Sequence, residues 1–143
     1  MTTIEPARDS DRSAIEGLLA GAGLPLDGLE LALDTAVVAR GADALEGCAA
    51  VEPYGSYGLL RSVFVAADLR GTGMGHRLVE AAEQLAASRG IAELYLLTET
   101  AEGWFPRLGY VPTTRDHVPA ALTASPEFTD ACPQSAAVLY KRL

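Results

Sequence analysis

The sequence predicts a mixed α/β domain in which a mostly antiparallel sheet is flanked by helices. Two long apolar runs, Leu45–Tyr54 and Tyr57–Val65, are separated by a Gly-Ser pair, which is the pattern of a β-hairpin. The second run leads through a glycine-rich turn into a helical pattern that starts at Met74. A chain of 143 residues, 49% of them hydrophobic, is long enough for one core. We therefore expect residues 1–143 to form a single domain.

Before the hairpin, the pattern predicts two helices and a strand. The Ser-Asp pair at residues 10–11 is suited to cap a first helix, whose apolar spacing extends to Leu19 and which should end at residues 21–23. A second short helix is predicted over residues 26–33, and a strand over residues 36–39.

The helical pattern over residues 74–89 is amphipathic, which predicts one buried and one wet face. A strand over residues 90–98 should follow. Short helical pieces are expected within residues 113–133, where prolines stand at early-turn positions, and a closing strand over residues 136–143. The predicted buried face of the helix contains Met74, Leu78, Ala82, Leu85 and Ala86, and the predicted wet face contains Arg77, Glu80, Glu83 and Arg89.

Composition and charge argue against several kinds of partner. The net charge is −8 and the isoelectric point is near 4.6, so the molecule as a whole repels nucleic acid and anionic membranes. The N-terminus has no basic segment followed by an apolar one, and no run is long enough to span a membrane, so we expect a cytoplasmic protein. Cys48 and Cys132 are far apart and form no CxxC pattern, which predicts free thiols and no metal site.

The strongest functional signal is the segment Arg-Gly-Thr-Gly-Met-Gly at residues 70–75. Glycines tolerate positive φ and lack a Cβ, so consecutive backbone N–H groups can converge on an anion at the positive end of the next helix. A plain strand-to-helix turn is the alternative. A P-loop would need a lysine where His76 stands, which argues against a nucleoside triphosphatase. Gly75 comes one position too early for a dinucleotide fingerprint, which weakens nicotinamide and flavin interpretations.

The Arg-x-x-Gly-x-Gly spacing resembles the acetyl-CoA loop of the GCN5-related N-acetyltransferase (GNAT) superfamily. Residues 60–70 resemble the strand and turn that lead into that loop, and residues 90–98 resemble the strand that follows it. Residues 101–110 resemble the family block Ala-x-x-Phe-Tyr-x-x-x-Gly-Phe. The resemblance implies a GNAT fold, in which a mixed, mostly antiparallel sheet splays around an acetyl-CoA cleft and an amine attacks the thioester directly.

The same resemblance assigns the contacts to acetyl-CoA. Backbone amides around Val63 and Val65 would bind the pantetheine arm and polarise the thioester carbonyl. The glycine loop would hold the pyrophosphate, helped by the charge of Arg70, for which a solvated surface role is the alternative. The expected acetyl-CoA contacts are Val63, Phe64, Val65, Arg70, Gly71, Thr72, Gly73, Met74, Gly75 and Phe105.

The aromatic block departs from the family at Phe105, where many relatives have a tyrosine that protonates the leaving thiolate. A phenyl ring cannot donate a proton, so Tyr95 is a candidate substitute acid, with packing inside its strand as the alternative. Glu99 is the candidate base. Glu52 and Glu102 are further carboxylates near the expected cleft, and simple solvation is the alternative for all three.

Arg61 precedes the expected pantetheine contacts and is suited to bind an acceptor carboxylate, with a cross-strand ion pair as the alternative. Residues 97–105 resemble the acetyltransferase domain of N-acetylglutamate synthase. They resemble more closely small N-acetyltransferases found with arsenic-resistance genes, as do residues 132–136. The resemblance implies a small-molecule acceptor, an amino acid or glutamate-like compound that includes arsenic- or phosphorus-containing analogues, with Thr98 and Ser135 as further contacts. A homodimer is compatible with it.

Two other functions stay open. The loss of the tyrosine at Phe105 is compatible with a non-catalytic acetyl-CoA sensor, which would bind acetyl-CoA without consuming it. Acetylation of a protein N-terminus or lysine is the other, although a carboxylate-selective Arg61 would argue for a small acceptor.

Overall fold

The computed structural model describes residues 2–131 and 136–143, so the predicted acceptor contact Ser135 and the thiol of Cys132 lie outside the described residues. One seven-stranded sheet forms the centre of the molecule, with strand order β1-β2-β3-β4-β5-β7-β6. All neighbouring strands are antiparallel except β4 and β5. The predicted mixed, mostly antiparallel sheet is thus confirmed. The strands are β1 Thr3–Pro6, β2 Ala36–Arg40, β3 Leu45–Tyr54, β4 Tyr57–Val65, β5 Glu93–Thr98, β6 Val111–Thr113 and β7 Ala137–Arg142.

Two α-helices pack against this sheet, α1 at Arg12–Gly21 and α2 at Met74–Ser88. Both lie where the apolar spacing predicts them. The other helical segments are short. They are 3₁₀ turns at Asp9–Asp11, Leu29–Leu31, Leu33–Thr35, Ala67–Leu69, Phe105–Leu108, Arg115–His117 and Leu122–Ala124, and a π-helical turn at Glu127–Ala131.

Strands β4 and β5 separate after a short parallel contact, and this separation positions the functional site. Three residue pairs join them, from Tyr57 with Glu93 to Leu59 with Tyr95. Beyond Leu59, β4 continues beside β3 alone, whereas β5 continues beside β7. The sheet therefore opens as a wedge between the second half of β4 and the end of β5.

The main core lies between α2 and the sheet. Leu78, Ala82 and Ala86 are fully buried in one cluster with residues of β2, β3 and β5, which confirms the predicted apolar face. The prediction of a wet Glu83 is wrong, because its carboxylate accepts hydrogen bonds from Tyr110 Oη at 2.9 Å and from Lys141 Nζ at 3.0 Å. Glu83 instead ties α2 to the C-terminal half of the sheet.

Three local features differ from the sequence prediction. Instead of one helix over residues 26–33, the chain makes two 3₁₀ turns that start after Gly28, whose φ is +77°. Strands β1 and β6 were not predicted, because segments of four and three residues carry almost no periodic signal. β6 contains Pro112, which suits its place at the sheet edge. Among the described helices, none is long and apolar enough to cross a membrane.

Candidate active site

The wedge between β4 and β5 holds two adjoining cavities. The first, of about 560 Å³, borders the glycine loop and the end of β4, and we call it the loop cavity. The second, of about 420 Å³, lies between β4 and the end of β5, and we call it the wedge cavity. Five residues line both cavities, and they are Ala22, Leu24, Val63, Ala101 and Trp104. A molecule in one cavity can therefore reach the other.

The glycine loop presents open backbone donors to the loop cavity. Gly71 and Gly73 have φ values of +82° and +86°, in the left-handed region that favours glycine. The first turn of α2 is closed by Arg77, whose N–H donates to the Gly73 carbonyl at 3.1 Å. The amides of Gly75 and His76 precede that bond and line the cavity. Such amides at a helix N-terminus bind phosphate groups well.

Arg70 borders the loop cavity and is tied to the end of β4. Its Nε donates to the Val65 carbonyl at 3.1 Å, and its guanidinium carbon lies 6.0 Å from the centre of the Phe64 ring. The predicted contacts Thr72 and Met74 belong to the loop but do not line the cavity. The exposed Thr72 hydroxyl donates to the Leu69 carbonyl, and the Met74 side chain is buried in the main core.

Strand β4 carries a bulge where it borders the wedge. Ala50 of β3 pairs with Arg61, but Cys48 pairs with Phe64, so β4 has one extra residue there. Within the bulge, Ser62 has a φ of +58°. The buried Cys48 thiol donates to the Ser62 carbonyl at 3.2 Å. Burial raises the pKa of this thiol to about 12, so Cys48 is a packing residue and not a nucleophile.

Arg61 is held inside the protein by a network of hydrogen bonds. Its side chain has no exposed surface, and it forms a 2.7 Å ion pair with the equally buried Glu52. Glu127 Oε1 lies 3.8 Å from Arg61 Nε. The remaining donors of the guanidinium bond to the Pro25 carbonyl, the Asp27 carbonyl and the Ser62 hydroxyl.

The structure shows the cross-strand ion pair that was the alternative for Arg61. Arg61 also lines the wedge cavity, so a contact with an acceptor carboxylate stays a prediction. The expectation for Glu52 is wrong. Glu52 is not solvated. Its carboxylate also accepts the hydroxyls of Tyr54 and Ser125, and burial raises the pKa of Tyr54 to about 12.

Tyr95, the candidate substitute acid, lines neither cavity of the wedge. Its ring stacks on Tyr140 with centroids 5.5 Å apart and meets Tyr57 edge-on. It lines a separate cavity that also includes His117. Burial raises the pKa of the Tyr95 hydroxyl, which makes it a poorer acid at neutral pH. This geometry fits the alternative given for Tyr95, in which its side chain packs against its neighbours in the sheet.

The end of β5 forms the far wall of the wedge cavity. Thr98 Oγ1 accepts the Ala101 N–H at 3.0 Å and so turns the chain at the strand end. Glu99 is exposed at the cavity, whereas Glu102 does not line it. Phe105 also lines the cavity, where its ring packs edge-on against Trp104.

Sequence reasoning missed several residues of the two cavities. Trp104 stands within the aromatic block but was not recognised as part of the cleft wall. Ser62 was not singled out, because a positive φ at a non-glycine residue leaves no sequence signal. Glu127 lies in an irregular segment whose pattern does not indicate which way its side chain faces.

The family model for the acetyltransferase (GNAT) domain matches residues 32–112. The chain belongs to the GNAT family. The match covers β2 to β5 and ends within β6, so it includes the glycine loop and the strands on both sides of the wedge. Among the residues that the structure describes, no group of His, Cys, Asp and Glu side chains is arranged to hold a metal ion.

Known proteins extend this similarity. An amino-acid acetyltransferase of Ralstonia nicotianae is 40% identical over 75 residues, which is 51% of this chain and 17% of that protein. The GNAT chain thus spans less than a fifth of this relative's length.

Solved structures share the fold at lower identity. N-acetylglutamate synthase from Neisseria gonorrhoeae, complexed with coenzyme A and N-acetyl-glutamate, matches with a TM-score of 0.83 and 22% identity over 100% of this chain and 35% of that chain. A Mycobacterium tuberculosis protein in complex with CoA matches with a TM-score of 0.79 and 24% identity over 99% of both chains. These similarities support the same fold along the whole described chain.

Proposed function

We propose that this GNAT domain, residues 1–143, transfers an acetyl group from acetyl-CoA to the amine of a small acceptor. The observation that carries the proposal is the opening of the sheet between β4 and β5, which joins a phosphate-suited loop cavity to the wedge cavity. A thioester held at the junction is then reachable by an amine from the other side. Placing both reactants in one cleft supplies much of the rate enhancement.

The residues of the loop cavity suit the donor. The open amides of Gly75 and His76 and the guanidinium of Arg70 fit a pyrophosphate. The half of β4 that has no β5 partner, around Val63 and Val65, offers backbone to an extended pantetheine arm. Bound acetyl-CoA supplies an activated acetyl group, because the CoA thiolate is a good leaving group.

The residues of the wedge cavity suit a small amine. Its volume of about 420 Å³ is that of a small-molecule site, and Glu99 and Glu127 bring carboxylates to it. A carboxylate attracts an ammonium group and can take its proton before attack. An amino acid or glutamate-like acceptor, with arsenic- and phosphorus-containing analogues, is the first candidate because the Ralstonia relative is an amino-acid acetyltransferase. Arg61, Thr98 and Ser135 stay predicted acceptor contacts.

A second candidate is an acetyl-CoA sensor. It is favoured by Phe105, which is buried against Trp104 and Tyr110 and brings no hydroxyl to the cleft. A sensor would bind acetyl-CoA in the loop cavity without releasing CoA.

The test is the release of CoA thiol from acetyl-CoA with a panel of acceptors. The panel contains glutamate and other amino acids, phosphinic and arsenic analogues of glutamate, polyamines and peptides. Turnover with small amino acids supports the proposal. Preference for peptides over every amino acid would replace it with peptide or protein acetylation, and tight acetyl-CoA binding without turnover would favour the sensor.

A further inference from the structure

Ser62 is held in a conformation that is costly for its residue type. Its φ of +58° is the only positive value at a non-glycine position among the described residues. A left-handed conformation is strained for an L-residue, because Cβ comes too close to the following carbonyl oxygen. Such residues are concentrated at functional sites, where the surroundings impose the strain. Here the surroundings are explicit, because Cys48 Sγ donates to the Ser62 carbonyl and Arg61 Nε donates to the Ser62 hydroxyl.

The hydroxyl of Ser62 retains its own proton for a ligand. Its oxygen accepts Arg61 Nε–H at 3.0 Å, and a serine hydroxyl has one O–H donor besides its lone pairs. No acceptor for that O–H is found among the residues that the structure describes. A charge-assisted bond to the oxygen also makes the O–H a stronger donor, because linked hydrogen bonds polarise one another.

Ser62 stands in the wedge cavity, next to the junction of the two cavities. Ser62 lines the wedge cavity, and the next residue, Val63, lines both cavities. Phe105, at the same cavity, has no hydroxyl. The thioester carbonyl of a bound donor would lie at this junction, and its oxygen gains negative charge during attack.

We propose that Ser62 is a catalytic residue whose O–H donates to the thioester carbonyl oxygen as that oxygen becomes an oxyanion. The proposal rests on the proposed acetyl transfer. The amine nitrogen forms a bond to the carbonyl carbon, and the carbonyl π pair moves to the oxygen, where Ser62 stabilises it. When that pair returns to re-form the carbonyl, the C–S bond breaks. The thiolate leaves with the C–S electrons and takes a proton from water, and the amine loses one to water or a carboxylate. Ser62 keeps its own proton throughout.

The decisive variant is Ser62→Gly, because glycine accepts the positive φ without strain and removes only the side chain. We expect kcat to fall about 100-fold, because removing one hydrogen-bond donor to an oxyanion usually lowers kcat by about that factor. The acceptor KM and the CoA dissociation constant should stay within about twofold. The melting temperature should fall only slightly, because Glu127 Oε1 still lies 3.8 Å from the Arg61 Nε–H that loses its acceptor. Ser62→Asn, which tolerates the left-handed region and carries an N–H donor, should recover part of kcat. Ser88→Ala, at an exposed hydroxyl near the end of α2, is the control.

A second measurement needs no turnover. Infrared difference spectra of bound [1-¹³C]acetyl-CoA should show a lower carbonyl frequency in the wild-type protein than in Ser62→Gly, because hydrogen bonding weakens the C=O bond. An unchanged frequency, or a loss confined to the acceptor KM, would overturn the assignment. If the wild-type protein turns over no amine, the acetyl transfer proposal fails, and the carbonyl frequency still decides whether Ser62 contacts the thioester.

Discussion

Arg61 Nη1 lies 2.7 Å from Glu52 Oε2, and neither side chain is exposed to solvent. This pair joins β3 to β4, and the other bonds of Arg61 reach the carbonyls of Pro25 and Asp27 in the loop after α1. Glu52 in turn accepts the Ser125 hydroxyl from the C-terminal segment. One buried ion pair thus connects four segments: β3, β4, the loop after α1 and the C-terminal segment.

Glu52→Ala should destabilise the protein by about 3–5 kcal/mol, because it leaves the Arg61 charge buried without its partner. Urea unfolding followed by circular dichroism measures this change in free energy. Glu99→Ala removes an exposed carboxylate at the wedge cavity and should change the free energy of unfolding by less than about 0.5 kcal/mol. Equal effects of the two substitutions would show that the buried pair is not held as described.

Gly73→Ala should weaken CoA binding about tenfold, which corresponds to about 1.4 kcal/mol. A Cβ at Gly73 meets no atom within 4 Å, so the cost comes from its φ of +86° and is relieved only by moving the loop amides. Isothermal titration calorimetry with CoA measures the affinity. Gly17→Ala, inside α1 and equally free of contacts, should leave the affinity unchanged and stabilise the helix. The same CoA affinity in both variants would argue against a phosphate role for the loop.

Much of this fold could be predicted from the sequence because long elements repeat their pattern. The β3–β4 hairpin and α2 have enough residues to reveal their period, whereas β6 has three. The glycine loop was also predictable, because its spacing is local.

The contacts of single polar side chains were not predictable in the same way. Glu83 has the periodicity of an exposed residue, but Lys141 reaches it from 58 positions away. Glu52 and Ser125 meet across 73 positions, and no local pattern encodes such a meeting. The strain at Ser62 likewise arises from the β-bulge and not from the serine itself.

Tyr95→Phe should leave kcat and the acceptor KM unchanged. The hydroxyl lies outside both cavities of the wedge, and the ring keeps its stacking on Tyr140 when only the oxygen is removed. Steady-state CoA release with the best acceptor measures both constants. A fall in kcat of more than about tenfold would restore Tyr95 as the acid and would require a movement that brings it to the cleft.

Glu99→Gln should lower kcat by about 10²-fold or more if Glu99 takes the amine proton, since a positioned general base contributes about that much. The comparison is with Glu102→Gln, which removes an equally exposed carboxylate that does not line the wedge cavity. The pH profile of kcat separates a base from a binding group, because loss of the base removes the acid limb of the profile. If both variants behave like the wild-type protein, the proton passes to water or to another carboxylate, such as Glu127.

Asp11→Asn should destabilise the protein at neutral pH but much less in acid. Asp11 accepts two hydrogen bonds from Arg40, at 2.7 and 3.1 Å, and one from the Arg8 N–H. The Arg40 bonds lower the pKa of Asp11 below its ordinary value of 3.8, and burial only partly opposes them. A carboxyl group with a lowered folded-state pKa adds stability above its unfolded pKa and loses it as the pH falls through the folded value. We therefore expect a difference of about 1.5–3 kcal/mol at pH 7, the range for a charged hydrogen bond, which shrinks below pH 3.8.

Urea unfolding from pH 7 to pH 2.5 measures that difference. Asp9→Asn, at an exposed carboxylate in the same turn, supplies the matched control and should show little difference at any pH. A pH-independent loss in Asp11→Asn would mean that the substitution acts through packing and not through the charge that Arg40 binds.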